Sequence, residues 1–116
     1  MKTKVSSQML RLLYFSTARA DIDKSDVDDI VEVAEKKNKK LGITGALAFN
    51  GRNFCQVLEG DENAVRALIE EIEADKRHSG FKIIDEKAVE TRHFPDWSMQ
   101  LVTDLDFSAL INSMKD

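Results

Sequence analysis

The stretch Asn53-Phe-Cys-Gln-Val-Leu-Glu-Gly60 reads as a β-strand that sets an amide where a core side chain belongs. Side chains alternate between faces in an extended chain, so Phe54, Gln56 and Leu58 point one way and Cys55, Val57 and Glu59 the other. Gln56 therefore shares its face with two large apolar neighbours. A buried primary amide without partners costs about 1–3 kcal/mol, so other polar groups must meet it there.

Working outward, Ile43-Thr-Gly-Ala-Leu-Ala-Phe49 precedes this strand, and the two flank Asn50-Gly-Arg-Asn53. An Asn-Gly pair between apolar runs is a strong hairpin signal. Further upstream, Gln8 to Ser16 is apolar on both faces, with Leu10, Leu12, Tyr14 and Ser16 opposite Met9, Arg11, Leu13 and Phe15. It reads as a central strand. Between these strands the capping residues Asp23 to Asp26 precede Val27, Ile30, Val31 and Ala34 at helical spacing, which predicts a helix over Ser25 to Lys40 ended by Gly42. Asn38 extends its apolar stripe, and the lysines around it complement the helix C-terminus and solvate the surface.

Downstream of the hairpin, Val65, Leu68, Ile69 and Ile72 form the stripe of a second helix from Gly60-Asp61, with Asp75 one turn further and closure near Asp75 to His78. Ile83 to Thr91 reads as a charged edge strand, Trp97 to Val102 as a short fifth strand, and Phe107 to Met114 as the start of an amphipathic tail. The domain proper then spans 1–103 and the tail 104–116.

The order β-α-β-β-α-β plus one strand is that of an α+β, ferredoxin-like βαββαβ sandwich with an added fifth strand and two helices on one face of a mixed sheet. Strands one and three are expected as parallel central neighbours. Tyr14 and Gln56 then meet beneath the helices, and Asn38 and Asp75 approach from one helix each. Four polar groups converge on one space, which reads as a pocket.

Composition narrows what the pocket serves. The 17 basic and 21 acidic residues give a net charge of −4, which disfavours a nucleic-acid or membrane face. One cysteine, Cys55, and a polar start point to the cytoplasm, and no apolar run approaches the roughly 20 residues of a membrane span. His78 and His93, read in loops, form no ligand pair with Cys55, so a metal site is disfavoured. Ser16 lacks triad partners, and the five dispersed glycines make no phosphate loop. What remains is a wall of neutral hydrogen-bonding groups, which suits a flat heteroaromatic ligand with donors and acceptors along its edge.

The segments Leu13-Tyr-Phe-Ser16, Asn38 with Gly42-Ile-Thr-Gly45, Phe54-Cys-Gln-Val-Leu-Glu-Gly60, Asp75-Lys-Arg-His78 and Trp97-Ser-Met99 closely resemble the BLUF domains, blue-light sensors that use flavin. The resemblance covers residues 9 to 102, and the motifs follow the family's order. It implies a noncovalent flavin, FAD or alternatively FMN, held between the two helices with its ring edge toward the sheet. It implies Tyr14 and Gln56 as the photochemical pair, Asn38 on the ring's carbonyl or imide edge, Arg77 and His78 on the ring or ribityl region, and Ile30 and Ile72 flanking the ring. Ser16, Lys37 and Asp75 join the cofactor's surroundings, although the family often carries Asn or His where this chain has Lys37. Trp97 and Met99 are the implied signalling residues, leading to a downstream protein partner or a homo-oligomer.

Two rival readings use other residues. An acylphosphatase-like hydrolase would employ Arg19 with Asn50 or Asn53, and a ligand-free dimerisation module would need no polar cluster at all. Neither accounts for Tyr14, Asn38 and Gln56 on inward faces.

Overall fold

The structure is a computed structural model and describes residues 8–96, 98–102 and 107–115. Its elements are β1 (Met9–Ala18), α1 (Lys24–Leu41), β2 (Thr44–Phe49), β3 (Asn53–Asp61), α2 (Glu62–Glu73), β4 (His78–Val89), β5 (Gln100–Val102) and α3 (Ser108–Ser113). One sheet contains all five strands in the order β4-β1-β3-β2-β5, with β4 at an edge as its charges require. This is the ferredoxin-like arrangement with a fifth strand.

The expected parallel pairing of strands one and three is wrong. β1 and β3 are antiparallel along their whole length, because each helical crossover skips a strand and β3 enters between β1 and β2 through the hairpin. Only β5, parallel to β2, makes the sheet mixed. The hairpin itself is as the sequence predicts: Asn50 Oδ1 accepts from the backbone N–H groups of Arg52 (3.0 Å) and Asn53 (2.7 Å). Gly45 is needed in β2 because a Cβ there would run into the Val57 carbonyl oxygen of the neighbouring strand.

Helix α1 begins at an Asp23–Asp26 capping box and ends where Gly42 takes a left-handed φ of 70°. α2 starts on an Asp61 cap and stops at Glu73, so Asp75 lies in the following turn rather than on the helix. That turn leads directly into β4 at His78, five residues earlier than the apolar pattern indicates. His78 is thus a strand residue and not a loop residue. Exposed charges along β4 and a register shift between Leu13 and Tyr14 of its partner hide the start from a period-two reading. β5 is shorter than expected, and the reading of Trp97 falls outside the described residues.

Two cores result, one per sheet face. On the helix side, Val27 of α1 and Val65 of α2 pack with Leu10, Leu12, Ile43 and Leu58. On the opposite face Leu13, Ala46, Cys55 and Val57 are covered by Phe94, Phe107, Leu110 and Met114, the last three from α3 and its flanks. Among the described residues no helix is long and apolar enough to cross a membrane, and no cluster of metal-ligating groups occurs.

Candidate functional site

Antiparallel pairing places Tyr14 and Gln56 directly opposite one another as register partners, both pointing toward the helices. The Tyr14 hydroxyl donates to Gln56 Oε1, which fixes the amide so that Nε2 faces the far side and donates to Met99 Sδ at 3.3 Å. Asn38, at 1 % exposure the most buried polar residue of α1, donates from Nδ2 to the Ser98 carbonyl at 2.9 Å. Two amides, one from the sheet and one from a helix, therefore hold consecutive residues of the segment entering β5.

Above Tyr14 and Gln56 the helices leave a cleft of about 220 Å³. Ile30, Val33 and Ala34 of α1 form one wall, Leu68 and Ile72 of α2 the other, and Tyr14, Leu47, Phe54 and Gln56 the floor. Lys37 of α1 forms an ion pair with Glu71 of α2, so the two walls are bridged by opposite charges. The post-helix turn supplies Asp75 and Arg77, and the first residue of β4 supplies His78, to the same cleft.

Of the residues singled out from the sequence, Tyr14, Ile30, Lys37, Asn38, Gln56, Ile72, Asp75, Arg77 and His78 line this one space. Ser16 lies behind it and touches the cleft through His78, whose Nδ1 is 2.7 Å from Ser16 Oγ. Because a carbonyl only accepts, His78 Nε2 carries a proton and donates to the Ile72 carbonyl at 2.6 Å. That bond ties β4 to the last turn of α2. Met99 is buried under Gln56.

Burial pushes the Tyr14 phenol well above its ordinary value of 10, with Cys55 and Asp75 adding to the effect. The phenol is neutral at any physiological pH. Asp75 moves the other way, down to about 2, chiefly through the side-chain bonds from Arg77. A carboxylate and a guanidinium thus stand paired at the cleft rim, while its floor is uncharged.

The rival hydrolytic residues are not assembled. Arg19 is ion-paired with Asp21 on the surface, Asn50 is occupied in the hairpin turn, and Asn53 accepts from Thr17.

One pair escaped the sequence reading. Arg11 and Glu59 are register partners on the far face of β1 and β3, 3 % and 0 % exposed, joined by a 2.7 Å ion pair. The signal was present: each is a charge of opposite sign on an otherwise apolar row, at positions that pair once the strands are antiparallel.

The donor set suits a flavin. An uncharged ring edge can meet the Gln56 and Asn38 amides, while half-buried isoleucines on both walls can cover its faces.

Comparison with known proteins agrees. A family model described as BLUF, sensors of blue light using FAD, matches residues 9–100. The chain is 37% identical over 67 residues to the blue light- and temperature-regulated antirepressor BluF of Escherichia coli, covering 58% of this chain and 17% of that protein. It is 29% identical over 99 residues to the photoactivated adenylate cyclase subunit beta of Euglena longa, covering 84% of this chain and 12% of that protein. The chain thus spans less than a fifth of the length of either relative. Among solved structures, the dark-state structure of the BLUF protein BlrB superposes with a TM-score of 0.82 at 33% identity, over 96% of this chain and 84% of that one. BlrP1 of Klebsiella pneumoniae, solved with FMN and cyclic diGMP, gives 0.78 at 35% identity, over 92% of this chain and 30% of that one. With 92 consecutive positions of 116 matched by the family, residues 9–100, the chain belongs to the BLUF family, sensors of blue light using FAD.

Proposed function

We propose that this chain detects blue light through a noncovalent flavin, FAD or FMN, seated in the cleft between α1 and α2, and reports it by a change in the hydrogen bonds of Gln56. The observation that carries this reading is the bonded chain from the Tyr14 hydroxyl through the Gln56 amide, both on the cleft floor, to the buried Met99. Ile30 and Ile72 would flank the ring, Asn38 would bond its polar edge, and Arg77, His78 and Lys37 would face the ring's tail side, with Ser16 and Asp75 orienting His78 and Arg77.

When bound, the flavin supplies the chromophore and, once excited, a strong one-electron oxidant. Tyr14 is the adjacent donor: its buried neutral phenol gives up an electron together with its proton, since the radical cation alone would be a buried charge. Gln56 would relay that proton, Oε1 taking it from the hydroxyl that already donates to it while Nε2 would release one to the reduced flavin, so that no charge stays on the amide. The amide, relieved of the bond that orients it, rotates or tautomerises. Electron and proton then return to Tyr14, and the phenol is restored beside an altered amide. Gln56 no longer presents the same group to Met99, and Met99, unbranched and adaptable, shifts with it. Trp97, two positions earlier in the sequence, is assigned to the same signalling segment. Light acts as a bias on two states of the segment and of the tail over 104–116.

The domain is a sensor rather than an enzyme, and it works in the cytoplasm through a protein partner or a second copy of itself. The test is spectroscopic. Purified protein loaded with FAD should be yellow and show a small, reversible red shift under blue light with no lasting bleach. Protein that cannot be loaded with flavin, or that binds flavin and shows no shift, overturns the reading.

A further inference from the structure

The buried ion pair on the far face of the sheet does more than fill space. Glu59 Oε2 accepts from Arg11 Nε (2.7 Å) and from the His93 backbone N–H (2.8 Å), and Glu59 Oε1 accepts from the Phe94 backbone N–H (2.7 Å). Arg11 spends its remaining nitrogens elsewhere: Nη1 donates to the Ser113 carbonyl at the end of α3 (2.8 Å), and Nη2 to the Thr91 carbonyl (3.3 Å). The two side chains hold the connection after β4 and the last turn of α3 on one point of the sheet. Arg92 fastens the same connection to Thr44 Oγ1 and to the carbonyls of Glu59 and Gly42.

The connection that begins at this point ends at the photoactive amide. It leaves the far face at Thr91 to Phe94 and reaches the helix face at Ser98 and Met99, where Asn38 and Gln56 hold it. Phe94 packs in the same apolar cluster as Phe107, Leu110 and Met114. Phe107, where α3 starts, sits at a φ of 62°, a left-handed conformation that bulky residues avoid unless their surroundings impose it. Stability alone does not explain the ion pair, since an apolar pair of similar volume commonly serves a core as well or better.

Resting on the sensor reading above, we propose that Arg11 and Glu59 are positioning residues that couple the connection over residues 91–99 to α3, so that displacement of Met99 at one end alters the docking of α3 at the other. Neither residue touches the cleft. Both act through the backbone they hold.

The test records absorption and amide hydrogen exchange, dark and lit, on flavin-loaded wild type, Arg11→Lys and Glu59→Gln. Lysine can still pair with Glu59 but lacks the fork that reaches the Ser113 and Thr91 carbonyls, and glutamine keeps the shape of glutamate without its charge. All three proteins should show the red shift. Wild type should show a light-minus-dark difference in exchange at residues 108–114, and both variants should lose it. If either variant fails to fold, the double replacement Arg11→Met with Glu59→Leu takes its place, with the same expected loss. A red shift with no difference at α3 in wild type, or with that difference preserved in the variants, overturns the coupling and leaves the sensor standing. Exchange raised equally in dark and light is the mark of a purely structural role and also overturns it. An absent red shift in wild type overturns the sensor reading itself.

Discussion

Tyr14 donates to Gln56 across the β1–β3 ladder, and that one hydrogen bond decides which end of the Gln56 amide faces Met99. An amide has two different ends and a carboxyl-like reach, so fixing one end determines the other. The orientation of a single side chain is thereby written into two strands and the segment entering a third.

Gln56→Leu should retain flavin and lose the red shift entirely. Leucine fills a similar volume but leaves the Tyr14 hydroxyl, now buried without an acceptor, at a cost of about 1–3 kcal/mol. Difference spectra before and after blue light, with a melting curve as control, check both parts.

Tyr14→Phe should suppress the same shift by removing the electron and proton donor while keeping the ring contact with Phe81, whose centroid lies 4.7 Å from that of Tyr14. The Gln56 carbonyl oxygen loses its donor, which costs about 1 kcal/mol if flavin or water compensates and up to about 3 if nothing does. A variant with the wild-type photocycle would remove Tyr14 from the mechanism.

Alkaline pH should destabilise the fold through Tyr14. Its pKa is raised in the folded state above the ordinary 10, so the stabilising contribution is complete below pH 10 and is lost as pH climbs beyond it. Denaturant midpoints should fall above pH 10 in wild type and fall less in Tyr14→Phe.

Breaking the far-face ion pair from one side should be worse than removing it whole. Glu59→Leu leaves Arg11 charged and buried, at a cost of about 3–5 kcal/mol, whereas Arg11→Met with Glu59→Leu should cost distinctly less. A double-mutant cycle by urea denaturation measures the difference, and additive costs would contradict it.

Gly45→Ala should cost about 3 kcal/mol or more, far beyond an ordinary glycine-to-alanine change, because the new methyl meets a backbone carbonyl of β3 that cannot turn away. Poor solubility or a midpoint too low to measure fits this expectation, and a stabilised variant does not.

The front of the sheet was legible in the sequence because its polar residues break an apolar period: Gln56 between Phe54 and Leu58, and Asn38 in the stripe of α1. Strand direction was not legible, since a strand's alternation is the same read either way and only the crossover topology sets β1 against β3. The early start of β4 was hidden by the charges an edge strand carries. Arg11 and Glu59 do not stand out in the sequence because long charged side chains are ordinarily solvated, and only the covering of the far face by Phe94, Leu110 and Met114 turns them inward. The fall of Asp75 into a turn changed its element and left it in the cleft.

The shortness of β5 bears on the proposed signal. Three residues pair it to β2 at the edge of the sheet, whereas β1 and β3 are paired along their whole length. Short edge elements open thermally far more often than the strands at the centre of a fold. On the proposed mechanism, each spontaneous opening would lift the segment beside Gln56 away from the amide without any photon absorbed, and so would imitate illumination. A detector of that kind would trade darkness for responsiveness: its background output would grow with temperature, and lengthening β5 would quiet the background and blunt the reply to light together.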